Sequence, residues 1–290
     1  DHRVFFLKEV FPAAMAANPK AASEDSQGVD WKLKWGAEVN TEPVANDLYL
    51  KLGAKVADMT FALSQDEHTL VLNGEGREEE KSECHSESVE TMAKCLKEFY
   101  DFDLYPEIVA TGKINRQFLT EMSGASRTSI LKKYSPERLL GRVWVKFRSL
   151  QVELKPKGMW SRFEGSHYSS TLAQMDRVAR GLYLFNMWIG NTDAKDDNSR
   201  IYMKKEFGEL TAYQEAHSDL GLSFGGLFNA GQTQKFRPGA SFLKRTLFGR
   251  KLRFSFPIMF KPEAWKFATY SDMRWMAKKI ASLKKSDIED

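Results

Sequence analysis

Gly190-Asn-Thr-Asp-Ala-Lys-Asp-Asp-Asn-Ser199 and, further on, His217-Ser-Asp-Leu-Gly-Leu-Ser-Phe-Gly225 are the two stretches on which the reading of this chain turns. The first is a polar loop that holds the spacing Asp-x-Lys-x-x-Asn in Asp193, Lys195 and Asn198. The second sets Asp219 beside Leu220 and Gly221. Together they offer two carboxylates, one amide oxygen and one ammonium. Hard oxygen donors of this kind suit magnesium, and an ammonium suits a phosphate. Either stretch alone is an ordinary polar turn, because Asp, Asn and other small polar residues favour turns. Their joint occurrence, in this order, is what carries meaning.

Transfer of a phosphoryl group needs positioning and charge neutralisation more than covalent chemistry. In this pattern Asp193 would orient or deprotonate a hydroxyl and Lys195 would steady a phosphate. Asn198 would ligate a metal, and Asp219 would add a second, charged ligand. Leu220 would pack beneath that ligand, and Gly221 would let the backbone turn.

Asp193-Ala-Lys-Asp-Asp-Asn198 resembles the catalytic loop of protein kinases, whose Asp and Asn stand five residues apart. Asp219-Leu-Gly221 resembles their Asp-Phe-Gly motif. Asn191-Thr192 stands where those enzymes have His-Arg, which is more similar to atypical bacterial kinases such as the HipA and CotH groups. The resemblance implies an α+β, two-lobed fold, with a small β-rich N-lobe over residues 1–152 and a mainly helical C-lobe over 153–290. It implies ATP with magnesium, or manganese, bound between the lobes. It also implies transfer of the γ-phosphate to a hydroxyl of a protein or small molecule.

The N-terminal half then has to supply the ion pair that anchors ATP, since kinases use a strand lysine held by a helix glutamate. Trp31-Lys-Leu-Lys-Trp-Gly-Ala-Glu-Val-Asn-Thr-Glu42 provides a strand followed closely by acidic residues. It is similar to a Lys-x-Gly-x-Glu-x-x-x-Glu segment of bacterial kinase-like proteins. Lys32 and Lys34 alternate with Leu33 and share one face. Lys34 is the preferred anchor and Glu42 its preferred partner, with Lys32 and Glu38 as alternatives. Surface charges on an edge strand are the bland reading.

No Gly-x-Gly-x-x-Gly precedes Lys34, and Gly28 is the only glycine before Gly36. A glycine lid is therefore absent, or replaced by residues around Ala21–Gly28. That departure keeps a pseudokinase, a nucleotide-binding or scaffolding module without turnover, as an alternative. AMP transfer, or a lipid or sugar acceptor on the same fold, is a further alternative.

The 290 residues are 42% hydrophobic and 28% charged, with 20 Phe and 7 Trp, which supports a sizeable packed core and argues against disorder. The net charge of +4 gives no strong field towards nucleic acid or membrane, and no apolar run is long enough for a membrane span. The chain begins at Asp1 rather than Met, which reads as processed or trimmed and leaves both a cytoplasmic and an exported location open. Two cysteines, Cys84 and Cys95, neither make a framework nor exclude one bridge. Cys84-His85 lacks the close ligands of a zinc site. His217 reads as closing a hydrogen bond near the metal loop rather than acting as a base. The basic run Lys244–Arg253 reads as a solvated face, with an acidic substrate or lipid headgroup as the alternative.

Periodicity predicts strands at Val4–Leu7 and Asp30–Gly36, and a long strand or strand pair over Arg142–Leu154. Helices are predicted over Thr41–Leu52 with Thr41 as the cap, Ser88–Tyr100, Thr171–Ile189, and Asp272–Leu283 with Ser271 as the cap. Residues 75–90 read as a charged loop, Arg200–Met203 and Thr211–His217 as a hairpin, and the C-terminal part as mainly helical.

Overall fold

The computed structural model describes residues 2–12, 18–36, 38–56, 59–72, 87–121, 127–128, 130–131, 134–154, 160–163, 171–191, 193–195, 198–206, 209–221, 223–225, 243–246, 249–254 and 262–289. The charged loop 75–86, the connection at 155–159 and the residues Thr192, Asp196 and Asp197 lie outside these. The protein is of α+β class and divides into two units. One comprises residues 1–39 and 60–155, and the other residues 40–59 and 156–290. The second unit thus takes in α1 (Thr41–Lys51), the helix that carries Glu42.

The first unit is built on an eight-stranded sheet. Its strands are β1 (Arg3–Val10), β2 (Lys20–Asp25), β3 (Asp30–Lys34), β4 (Met59–Ser64), β5 (His68–Val71), β6 (Ile108–Lys113), β7 (Val143–Phe147) and β8 (Ser149–Leu154). They lie in the order β4-β8-β3-β2-β1-β5-β7-β6. β1 runs parallel to β5 and antiparallel to β2. Successive side chains of a strand point to opposite faces, and β1 is apolar on both. Phe5 and Leu7 join a core with Trp31, Leu33 and Val152, whereas Val4 and Phe6 join another with Ile114, Leu119 and Ile130. α2 (Val89–Tyr100) packs Met92, Cys95 and Leu96 onto the first of these cores. Ser88, which the sequence reading sets at the start of this helix, is its N-cap and accepts the Thr91 amide at 3.1 Å. Two short helices, α3 (Arg116–Glu121) and α4 (Pro136–Leu139), close the second core through Leu119 and Leu139.

The run Arg142–Leu154 is a pair of strands, one of the two forms the sequence allows. The chain breaks at Arg148, whose amide donates to the Glu107 carbonyl at 2.8 Å. β7 then pairs with β5 and β6, while β8 pairs with β3. Residues 25–29, where a substitute lid is expected, form a tight β2–β3 turn. One Asp25 carboxylate oxygen accepts the amides of Gln27 and Val29, and the other accepts the Trp31 indole at 2.9 Å.

In the second unit α1 packs with α6 (Arg177–Ile189) and α7 (Tyr270–Ala281) around Leu48, Tyr49, Leu52, Leu182, Phe185 and Met276. The predicted helix 171–189 is split. α5 (Thr171–Met175) ends at Asp176, whose carboxylate accepts the Val178 amide at 2.8 Å and starts α6 afresh. At Gly181 a Cβ would meet the Met276 and Trp275 side chains at 3.2–3.3 Å, a tight fit that those side chains would have to yield to.

Two predicted caps move by one or two residues. Asn40, not Thr41, is the N-cap of α1. Thr269, not Ser271, caps α7 in a reciprocal box with Asp272. Burial raises the Asp272 carboxyl, but the Arg180 guanidinium at 2.9 Å and the Thr269 bonds hold it down to about 2. α8 (Ser286–Glu289) ends the described chain. β9 (Trp160–Phe163), β10 (Ser199–Glu206) and β11 (Glu209–His217) form a three-stranded sheet, with β10 and β11 as the predicted hairpin. The basic run is itself a strand pair, β12 (Leu243–Thr246) with β13 (Gly249–Phe254). Among the described C-terminal residues this strand pair stands beside the expected helices. No helix among the described residues is long and apolar enough to cross a membrane.

Two measurable properties follow. Burial pushes the His68 imidazole down to about 4. Its Nδ1–H donates to the Ser64 carbonyl at 2.7 Å, and its Nε2 accepts the Phe147 amide at 3.1 Å, which fixes the neutral tautomer. An unfolded histidine takes up its proton at about 6.5, so the unfolded state binds more protons below that pH. Stability contributed above pH ~6.5 is lost as the pH falls towards the folded value. Urea midpoints should drop between pH ~6.5 and ~5, before most carboxylates titrate, and His68→Gln should flatten that slope; an unchanged slope refutes it. Cys95 is disulfide-bonded, and the only other cysteine is Cys84, outside the described residues. Thiol titration of the denatured, unreduced protein should find no reactive thiol, and titration after reduction should find both.

Candidate active site

The Asp193 loop owes its shape to the way α6 stops. Leu182, Phe185 and Ile189 bury one face of the helix. At Gly190 the backbone enters the left-handed region (φ 66°), which glycine adopts without a Cβ penalty. The Asn191 amide then reaches back to the Asn186 carbonyl at 2.9 Å, the long bond of a Schellman-type helix end. Next, Asn191 Oδ1 accepts the Asp193 amide at 3.1 Å, an Asx turn that presents the Asp193 side chain. The loop closes with the Asn198 amide donating to the Lys195 carbonyl at 3.0 Å.

Within this loop three predicted residues meet. Asp193 is buried, and its Oδ2 accepts Lys195 Nζ at 3.1 Å and Asn198 Nδ2 at 3.2 Å. Asn198 Nδ2 also donates to the Asp193 carbonyl at 2.7 Å. Both partners are acceptors, so the amide nitrogen must face them and the amide oxygen is turned away. Asp193 Oδ1 takes no hydrogen bond among the described residues.

The second motif is brought alongside by the hairpin. The 21 positions from Asn198 to Asp219 are spanned by β10 and β11, whose ends set Ser199 opposite His217. The Ser218 amide donates to the Asn198 carbonyl at 2.7 Å, so Asp219 follows one residue after a residue bonded to Asn198. Asp219 has φ 57° and Phe224 has φ 58°. An aspartate tolerates this region and a phenylalanine adopts it rarely. Ser223 lies between them, and its Oγ is buried with no hydrogen-bond partner among the described residues. Backbone strain and an unsatisfied hydroxyl, each costing about 1–3 kcal/mol, are thus concentrated within six residues of the Asp-Leu-Gly.

α1 supports this segment from its first turn. Thr41 Oγ1 donates to the Gly221 carbonyl at 2.8 Å, which is why it does not cap the helix. Glu42 is buried, and a carboxylate oxygen lies within 4.8 Å of one from Asp219. A cation would hold two such carboxylates together, and carboxylates with an amide oxygen form an all-oxygen donor set that fits magnesium. Burial alone pushes the His217 imidazole down to about 3, so it is neutral at physiological pH. Its ring centroid lies 5.1 Å from that of Tyr49, and its amide donates to the Lys55 carbonyl at 2.8 Å.

The predicted anchors of the first unit lie at the end of β3. Lys34 is 2% exposed, and its Nζ is 3.1 Å from Glu153 Oε2. Lys32 Nζ is 2.6 Å from Glu153 Oε1. The register explains this convergence, because Lys32 stands directly opposite Glu153 and Lys34 opposite Gln151 on the same face. Burial raises the Glu153 carboxyl, but the Lys34 and Lys32 ammonium groups overcome it and hold it well below the usual carboxylate range. Glu38 is buried near the end of this unit.

Sequence reasoning overlooks Glu153. The signal available is a charged residue between Val152 and Leu154 on a buried strand, but its partners lie about 120 residues away across the sheet. Asn186 is overlooked too, as a polar residue on the apolar face of α6. No known family model, no curated protein and no solved structure matches this chain.

Removing Glu153 takes its carboxylate away from two ammonium groups, one of them buried. Glu153→Gln should cost on the order of 3 kcal/mol in urea unfolding at neutral pH, and a loss within error of zero refutes the ion pair as a structural element.

Proposed function

We propose that this protein is an ATP- and magnesium-dependent phosphotransferase of atypical kinase type, with its two units as the two lobes of a protein-kinase-like fold. The observation that carries this reading is the Asp193 carboxylate. Lys195 and Asn198 hold one of its oxygens while the other takes no hydrogen bond among the described residues, and Asn198 is tied to the segment bearing Asp219.

In this reading the hydroxyl of a protein or small-molecule acceptor donates to Asp193 Oδ1. As its oxygen bonds to the γ-phosphorus, the bond from that phosphorus to the β–γ bridging oxygen breaks. ADP leaves, and the hydroxyl proton passes to Asp193. Lys195 balances charge at the transferred group. Lys34, held by Glu153, anchors the phosphates of ATP. Asn198 Oδ1 and the Asp219 carboxylate, with Glu42 close by, are the oxygens that would hold magnesium. When bound, the ion neutralises charge developing on the phosphate oxygens.

The test is transfer from γ-labelled MgATP, to the protein itself or to a pool of hydroxyl acceptors. Asp193→Ala should slow transfer about 100- to 10,000-fold, the range for a lost general base, with nucleotide binding retained. Asp219→Asn should weaken the dependence on magnesium. MgATP binding without any transfer would instead make this a non-catalytic nucleotide module. Mass spectrometry showing an added AMP would change the group transferred.

A further inference from the structure

Asn186 occupies a place where an apolar residue would be cheaper. It lies in the middle of the buried face of α6, is fully buried, and follows Leu182 and Phe185 at helical spacing. A buried amide costs free energy unless its hydrogen bonds are made, and here they are. Oδ1 accepts the Tyr49 hydroxyl at 2.6 Å and Asn191 Nδ2 at 2.7 Å, filling both lone pairs, and Nδ2 donates to the Leu182 carbonyl at 2.9 Å. Asn191, also buried, uses its remaining Oδ1 on the Asp193 amide. An unbroken chain therefore runs from Tyr49 through Asn186 and Asn191 to Asp193, and on to Asn198.

Tyr49 belongs to α1, and α1 grips the other motif as well, through Thr41 on the Gly221 carbonyl. The two grips are eight residues apart, about 12 Å along a helix. One rigid element thus holds both the loop of Asp193 and the segment of Asp219. The Tyr49 ring is independently fixed by edge packing on Phe185, at 5.1 Å between centroids.

We infer that Tyr49, Asn186 and Asn191 are positioning residues through which α1 sets the geometry of the Asp193 loop. The inference rests on the phosphotransferase reading. It adds to that reading that turnover depends on a hydroxyl which touches neither nucleotide nor acceptor. A buried polar network of this kind is retained for the arrangement it enforces rather than for stability.

Two variants separate the roles, measured in the full chain with MgATP and water as acceptor, by ADP release. Tyr49→Phe keeps the ring and removes only the hydroxyl. It should lower kcat at least about tenfold, the scale of one buried hydrogen bond felt at turnover, and leave KM for ATP within about twofold. Hydrogen exchange over residues 190–199 should quicken. Tyr49→Phe/Asn186→Leu also takes the acceptor from the buried Asn191 Nδ2, so it should melt below the wild type and be slow well beyond its unfolded fraction.

Wild-type kcat in either variant overturns the inference, as does activity lost only in proportion to the unfolded fraction. If the wild type releases no more ADP than Asp193→Ala, the phosphotransferase reading fails instead. Exchange over 190–199 then decides whether α1 orders the loop, and unchanged exchange in Tyr49→Phe overturns that as well.

Discussion

A single left-handed residue, Gly190, is the constraint on which the second unit depends. Were α6 to continue, Asn191 and Asp193 would be carried round the helix and their side chains would diverge. Because the chain reverses at Gly190, the orphan carbonyl of Asn186 is satisfied by Asn191, and the next turn is built from side-chain oxygen rather than backbone. A residue with a Cβ would pay about 1–2 kcal/mol for this conformation. The same reversal delivers Asn198 to the start of β10, where hairpin pairing brings back Ser218 and then Asp219.

The two buried carboxylates of greatest interest are held by lysines in different ways, and the difference is chemical. Glu153 has an ammonium on each oxygen. It is a strut that fixes Lys32 and Lys34 against the sheet. Asp193 receives both of its side-chain donors on one oxygen. That arrangement fixes the rotamer without using up the group. Occupancy of individual oxygens, more than burial, distinguishes a carboxylate that supports from one that can react.

What the sequence reveals of all this tracks the distance over which each feature is decided. The Asp193–Asn198 loop, the strands at Val4–Leu7 and Asp30–Lys34, the helix that begins near Ser88 and the β10–β11 hairpin are local, and periodicity or spacing exposes them. Thr41 misleads because its hydroxyl has a better partner in Gly221, 180 residues away. Asp176 hides a helix break, since its amphipathic stripe continues across the cap. Glu153 and Asn186 are legible only as polar residues out of place, and their meaning lies in Lys34 and Tyr49 on remote segments. Residues 243–254 show their charge in the sequence but not their pairing.

The interleaving of the two units has a consequence for how the chain is made. Residues 40–59 belong with 156–290, yet they emerge before most of the sheet is synthesised. The apolar face of α1, with Leu48, Tyr49 and Leu52, finds its cover in Leu182 and Phe185 only some 130 residues later. At about 5–20 residues per second this is a delay of roughly 7–26 s on the ribosome. During that interval a short amphipathic helix is marginal by itself. Burial of that face therefore has to wait until α6 is made.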